Sequence, residues 1–258
     1  MNPDLLTRIL PLDASPTLLI AAAIAAYLIG SIPFAVVVSK VFGLADPRSF
    51  GSGNPGATNV LRTGNKLAAF LTLFGDAAKG AIAIGVAAAM GVPADLFGWI
   101  GLIAFFGHVF PVTLGFKGGK GVSTSAGVLL ALYWPLGLAT LGTWLFMAFT
   151  FRYSSLSAIT AALMTPIFAV LMGLPTPVIV PISLMVAILL IKHAGNLRRL
   201  LAADRRLRLF LATDFAFLTG QQPAQIACVF DQQNSHHQAD RHNHRRGQPH
   251  HYRKYRCH

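Results

Sequence analysis

Val122-Ser-Thr-Ser-Ala-Gly-Val-Leu-Leu-Ala-Leu-Tyr-Trp134-Pro135-Leu-Gly-Leu-Ala-Thr-Leu-Gly-Thr-Trp-Leu-Phe-Met-Ala-Phe-Thr-Phe151 contains no charged residue. As one α-helix it would be about 45 Å long. That is too long for a single untilted crossing of a hydrocarbon core about 30 Å thick, and short for two. The flanking charges discriminate, because Lys and Arg in short loops mark the cytoplasmic side of a membrane protein. Basic regions occur at Lys40 to Lys66, Lys117 to Lys120, Arg152, and Lys192 to Arg208, whereas the turns at Gly91 and Gly173 hold no Lys or Arg. All four basic regions share one side only if the run crosses twice, reversing near Trp134-Pro135. A single tilted span is the alternative, and it would put Arg152 on the opposite side.

On either side of this run the apolar blocks divide at turn signals. Thr17 to Ser39 is long enough to span. A signal peptide is the competing reading, but Asp4, Arg8 and Asp13 do not make a basic leader before it. Leu67 to Leu114 is interrupted at Gly91-Val-Pro-Ala-Asp95, and Leu156 to Ile191 at Gly173-Leu-Pro-Thr-Pro177, so each predicts two helices. The expected fold is an all-α integral membrane protein with seven transmembrane helices, the fourth short, the N-terminus outside and the C-terminus cytoplasmic.

Composition agrees. Of 258 residues 54% are hydrophobic and 12% charged, about half the charge of an ordinary soluble domain. Every acid is Asp, which excludes a glutamate base or Glu metal ligands, and the only cysteines are Cys228 and Cys257. The expected domains are a transmembrane unit over 1–214 and a tail over 215–258 rich in Gln, Asn, Arg and His. That tail has no apolar period and is expected to be disordered. Its His236, His237, His242 and His244 are the residues that could bind metal, against a simple solvated tail.

Two basic-side loops carry chemistry. In Gly51-Ser-Gly-Asn-Pro-Gly-Ala-Thr-Asn59-Val-Leu-Arg62, glycines let backbone N–H groups converge on one point. Ser52, Asn54, Thr58 and Asn59 add donors, with Gly53 and Gly56 keeping space open, and Arg62 can clamp a phosphate in a bidentate fashion. A merely flexible loop would not need so many donors. In Gly115-Phe-Lys117-Gly118-Gly119-Lys120-Gly121 the same chemistry recurs before a helix starting at Val122, whose N-terminus suits an anion. The spacing is one residue short of a Walker A loop and Gly121 stands where Ser or Thr would be, so nucleotide hydrolysis is not expected. A basic turn that only fixes topology explains these lysines but not the glycines. His193 and Asn196 share a helix face. Asp76 and Lys79 fall inside a span at i, i+3, where they can form an ion pair or contact substrate. His108 could cap a carbonyl or donate to a ligand.

Seven ordered motifs extend this reading: Gly-Ser-Ile-Pro33; Gly51 to Arg62; Asp76-x-x-Lys-Gly80; Gly-His-x-Phe-Pro111; Phe-Lys-Gly-Gly-Lys-Gly-Val122; Arg-Tyr-x-Ser155; and His193-x-x-Asn196. Over about Gly30 to Asp204 the chain resembles the bacterial membrane glycerol-3-phosphate acyltransferases that use acyl phosphate as donor, the PlsY type. The resemblance implies a seven-helix inner-membrane enzyme, active on the cytoplasmic side, that acylates the 1-hydroxyl of glycerol 3-phosphate. It would release phosphate and give lysophosphatidic acid, the first acylation of phospholipid synthesis. It also implies that Gly51, Ser52, Gly53, Asn54, Thr58 and Asn59 form the acyl-phosphate pocket, and that Arg62, Lys120, Ser155, His193 and Asn196 serve glycerol 3-phosphate. The family usually has a Glu after the last helix, in a Gly-x-Glu setting. Here Asp204 follows Leu-Ala-Ala.

Acyl phosphate already carries a good leaving group, so catalysis reduces largely to positioning and charge neutralisation. On this reading a substrate phosphate oxygen accepts the hydroxyl proton with help from His193, and neither a cofactor, a metal nor a covalent enzyme intermediate is required. The expected partners are the two substrates and membrane lipid, without nucleic acid or an obligatory protein. A transporter of phosphorylated metabolites would also want basic glycine-rich loops, but with binding groups near the bilayer midplane. A noncatalytic lipid-binding protein would need fewer fixed donors.

Overall fold

The computed structural model describes residues 15–203, and within them every regular element is a helix. Residues up to His193 belong to one compact unit and those from Ala194 to another. Asp204 and the tail from 215 lie outside the described residues.

The first apolar block forms α1 (Pro16–Gly30) and α2 (Phe34–Val41), bent by 42° relative to each other. A single helix over 17–39 does not form because Pro33 lacks an N–H and disfavours helix at the residue before it. The carbonyls freed at the bend are taken by side chains from elsewhere: Thr113 Oγ1 donates to Ser31 O at 2.7 Å and Lys79 Nζ to Ile32 O at 2.8 Å. In an apolar environment such groups need an internal partner, so these bonds permit the bend.

After the short α3 (Ala57–Val60) come α4 (Lys66–Ala89) and α5 (Phe97–Val109). Asn65 caps α4, its side chain accepting from Ala68 N at 2.9 Å. Gly91, at φ 85°, ends it in a left-handed turn in which Val92 N donates to Ala87 O. The charge-free run that decides the topology divides into α6 (Val122–Leu132) and α7 (Trp134–Phe151), parted by Tyr133 in an extended conformation. The break falls at the expected Trp134-Pro135 position, with Pro135 in the first turn where its missing N–H is harmless. α8 (Ser154–Leu171) and α9 (Thr176–Ala203) complete the described chain. Among the described residues five helices are long and apolar enough to cross a membrane, or up to six if α1 and α2 count as one span, and α6 is a shorter apolar helix.

Lipid tails are as apolar as leucine, so helices associate here through close fit rather than hydrophobic exclusion. α4 and α6 meet over glycines: a Cβ on Gly127 would collide with the Ala77 carbonyl, and one on Gly80 with that of Thr124. Alanines line the α1, α4 and α5 contact, including Ala22, Ala26, Ala83 and Ala104. A second cluster joins Phe105 and Val109 of α5 to Val128 of α6, Leu136 of α7 and Met185 of α9. Between α7 and α8 the hydroxyls of Thr140 and Thr165 lie 3.1 Å apart. We expect Gly127→Val to force α4 and α6 apart and lower stability by about 1–3 kcal/mol, a loss readable by thermal unfolding in detergent. Large side chains such as Phe146, Phe149 and Leu171 face outward, as suits helices that meet lipid.

Candidate active site

Asn59 organises the first glycine-rich loop. Only 2% exposed, it turns its amide nitrogen onto the carbonyls of Pro47 and Phe50, while its Oδ1 accepts from Ser52 N at 3.3 Å and from Arg62 Nη1 at 3.0 Å. The loop therefore folds around this one side chain, whose amide group is directed at the protein. Gly51 has φ 61°, and a Cβ there would strike both the Arg62 guanidinium and Asn59 Oδ1. Only glycine suits that crossing.

Two arginines in this region differ electrostatically. Arg48 makes a two-point ion pair with Asp46, with its Nη2 2.6 Å from Oδ2, and these hydrogen bonds hold the Asp46 carboxyl below its ordinary value. The sign follows from that depression: the pair contributes fully above the ordinary value of 3.8 and is lost as pH falls through the lowered one. Being exposed, it adds little. Arg62 instead donates to a neutral amide oxygen, and among the described residues it has no acidic partner. Its charge remains available to an anion.

The second loop hangs from the end of α5. Gly118 N donates to Val109 O at 3.2 Å and Gly119 N to His108 O at 3.1 Å. Gly115, Phe116 and Gly121 all take positive φ, and Gly121 leads into α6 with its carbonyl accepting from Ser125 N. Lys117 is exposed and Lys120 half-buried.

His193, on α9, is 3% exposed, with Nδ1 2.9 Å from Leu189 O. A carbonyl only accepts, so Nδ1 carries a proton, and in the neutral form of the ring the lone pair is at Nε2. Lys120 lies within electrostatic range of this ring. Asn196 follows on the same helix, in the unit that begins at Ala194.

The separate segments converge. Thr58 Oγ1 is 3.4 Å from Ser154 Oγ, which ties the first loop to the start of α8 and so to the turn that carries Ser155. Pro55 of the first loop lines the same small pocket as Gly118 and Gly119 of the second. The floor of that pocket is ionic: Lys79 Nζ lies 2.8 Å from Asp76 Oδ1, and His108 Nδ1 lies 3.4 Å from the same oxygen. Asp76 and Lys79 thus form the ion pair that their spacing allows. His108 turns its Nδ1 toward the Asp76 carboxylate across the helix interface. Asp46 was not singled out in the sequence, and Ser154 only as a member of the Arg152–Ser155 cluster. Ser154 stands beside Ser155 in the Arg-Tyr-Ser-Ser motif, which is the signal for it.

Known proteins are similar to this chain over most of its length. The family model for "Glycerol-3-phosphate acyltransferase" matches residues 20–203. A protein so described from Dechloromonas aromatica (strain RCB) is 56% identical over 183 residues, 71% of this chain and 92% of its own. Another from Burkholderia orbicola (strain MC0-3) is 56% identical over 189 residues, covering 72% and 91% respectively. Two solved structures share the fold, both described as PlsY (YgiH), an integral membrane glycerol 3-phosphate acyltransferase. Its glycerol 3-phosphate form superposes with a TM-score of 0.66 at 38% identity, over 70% of this chain and 91% of that one. Its lysophosphatidic acid form gives 0.65 at 37%, with the same coverage.

Proposed function

Since the chain belongs to the glycerol-3-phosphate acyltransferase family and is a multi-pass membrane acyltransferase of that kind, we propose that it takes its acyl group from acyl phosphate and delivers it to the 1-hydroxyl of glycerol 3-phosphate. The meeting of the two glycine-rich basic loops, the second of which brings Lys120 within electrostatic range of His193, carries this reading. Acyl phosphate sits on the first loop, where Gly51, Ser52, Gly53, Asn54, Gly56 and Thr58 offer backbone and side-chain donors and Asn59 holds their geometry. Glycerol 3-phosphate lies against Arg62, Lys117, Lys120 and Ser155 and the backbone of Gly118, Gly119 and Gly121, whose missing side chains let the loop pack onto His108, Pro111 and Phe105; Asn196 is assigned to this substrate by its motif. Asp204 takes the place of the acid that follows the last helix.

The hydroxyl oxygen attacks the acyl carbon, the bond from that carbon to the phosphate oxygen breaks, and inorganic phosphate leaves. The hydroxyl proton passes to a phosphate oxygen of the substrate through His193 Nε2. Arg62 and Lys120 offset the charge of the leaving phosphate, the electrostatic term that dominates many such reactions.

We place the transmembrane acyltransferase domain in 1–214 and a His-, Arg- and Gln-rich tail in 215–258. The chain crosses the bacterial inner membrane seven times, α6 being the short fourth span, with the N-terminus outside and the site on the cytoplasmic side. The basic loops all fall on one face in that topology, which supports it. It requires no protein partner.

Purified protein given acyl phosphate and glycerol 3-phosphate is expected to yield lysophosphatidic acid and phosphate in equal amounts. Transport of glycerol 3-phosphate into vesicles without product would overturn the enzyme reading in favour of a carrier. Asn59→Leu removes the hub of the first loop and leaves buried carbonyls unpaired, so KM for acyl phosphate should rise about tenfold or more if lost positioning dominates. Steady-state kinetics with the donor varied will measure it.

A further inference from the structure

The structure assigns a task to the buried trio Asp76, Lys79 and His108, which contributes no contact to the chemistry above: we propose that it is a positioning device that holds the Lys117–Gly121 loop, and through it Lys120, in register for the acceptor substrate. Three observations carry this. The His108 carbonyl accepts from Gly119 N at 3.1 Å, so the loop is hung on this residue. The His108 ring edge at Nε2 occupies the place that a Cβ on Gly119 would take, so the ring also supports the loop from beneath. The ring is itself fixed from its other nitrogen, with Nδ1 3.4 Å from Asp76 Oδ1, an oxygen that also meets Lys79 Nζ at 2.8 Å. Lys79 in turn is anchored on Ile32 O at the α1–α2 bend.

The trio is thus continuous from the bend of the first apolar block to the loop that bears Lys120. All three side chains are nearly inaccessible, at 3% for Lys79, 4% for Asp76 and 7% for His108. His108 and Asp76 are positioning residues, since they act through the loop. Because Lys120 is assigned to glycerol 3-phosphate, this inference rests on the function proposed above.

The test uses full-length protein purified in detergent, with both substrates varied. In His108→Ala the support beneath Gly119 is gone, and KM for glycerol 3-phosphate is expected to rise about tenfold or more while KM for acyl phosphate stays within about twofold, a split that loss of uniform acceptor binding produces. His108→Gln, whose amide nitrogen reaches roughly where Nε2 stood, should recover at least half of that rise on a logarithmic scale. Adding Asp76→Asn to His108→Ala should change KM for glycerol 3-phosphate by less than the product of the two single effects, as expected for residues acting as one unit. Unchanged KM values for both substrates, or equal rises in both, overturn the proposal, whatever happens to the amount of folded protein. An unaltered protein that makes no lysophosphatidic acid would instead overturn the function itself, so the two failures are separate.

Discussion

Replacing His193 with alanine lowers kcat for lysophosphatidic acid formation by about 10²–10⁴-fold, the usual worth of a placed general base. KM for glycerol 3-phosphate should move much less, because the imidazole is asked to act on the proton in flight rather than to hold the ground state. The structural basis is the bond from Nδ1 to Leu189 O at 2.9 Å. It fixes the tautomer and the ring plane, and leaves Nε2 as the basic atom. His193→Asn separates base from scaffold: its amide nitrogen can still donate to Leu189 O, but nothing replaces Nε2. We expect His193→Asn to be nearly as slow as His193→Ala with stability close to the parent's. Turnover within tenfold of the parent in His193→Asn, measured with both substrates saturating, would remove His193 from the proton path.

Asp76→Ala should cost about 3–5 kcal/mol of stability, the penalty for leaving one member of a buried ion pair without the other. Lys79 would keep its bond to Ile32 O but lose the carboxylate 2.8 Å away. Thermal unfolding in a defined detergent will give the size of the loss. The paired replacement Asp76→Leu with Lys79→Met removes both charges at similar volume, and such exchanges are often neutral or better. Because it also takes the Lys79 donor from Ile32 O at the bend, it should recover only part of the stability, and KM for glycerol 3-phosphate should stay raised, because His108 still lacks its acceptor. A single Asp76→Ala variant as stable as the parent would mean that the pair does not support the fold.

The helix blocks were legible in the sequence because apolar runs end at glycine and proline, and because loop charge distinguishes two faces. That reasoning located the division at Trp134-Pro135 within a run that hydropathy alone leaves uniform. The bend after Gly30 was missed although Pro33 signals it; what the sequence could not show is that the groups satisfying its freed carbonyls come from Lys79 and Thr113, far along the chain. The Asp76–Lys79 pair could be read from helical spacing, whereas the place of His108 beside it depends on how α4 and α5 pack. Asn59 shows the limit most clearly. An amide in a glycine-rich loop reads as a ligand donor, and only the fold reveals that its nitrogen is turned onto Pro47 and Phe50. The motifs from Gly30 to Asn196 were specific enough to give the family, because seven of them occur in order along the chain.

The outward-facing helix α7 has a consequence for descent. Phe146 and Phe149 are 67% and 80% exposed, so on the exposed face of α7 one greasy residue serves as well as another and the lineage can rewrite it freely while hydropathy stays constant. At Gly80 and Gly127, by contrast, backbone meets backbone and no side chain can be admitted. Ancestry in this protein will be recorded in what its glycines forbid, while α7 keeps only the memory of having lived in oil.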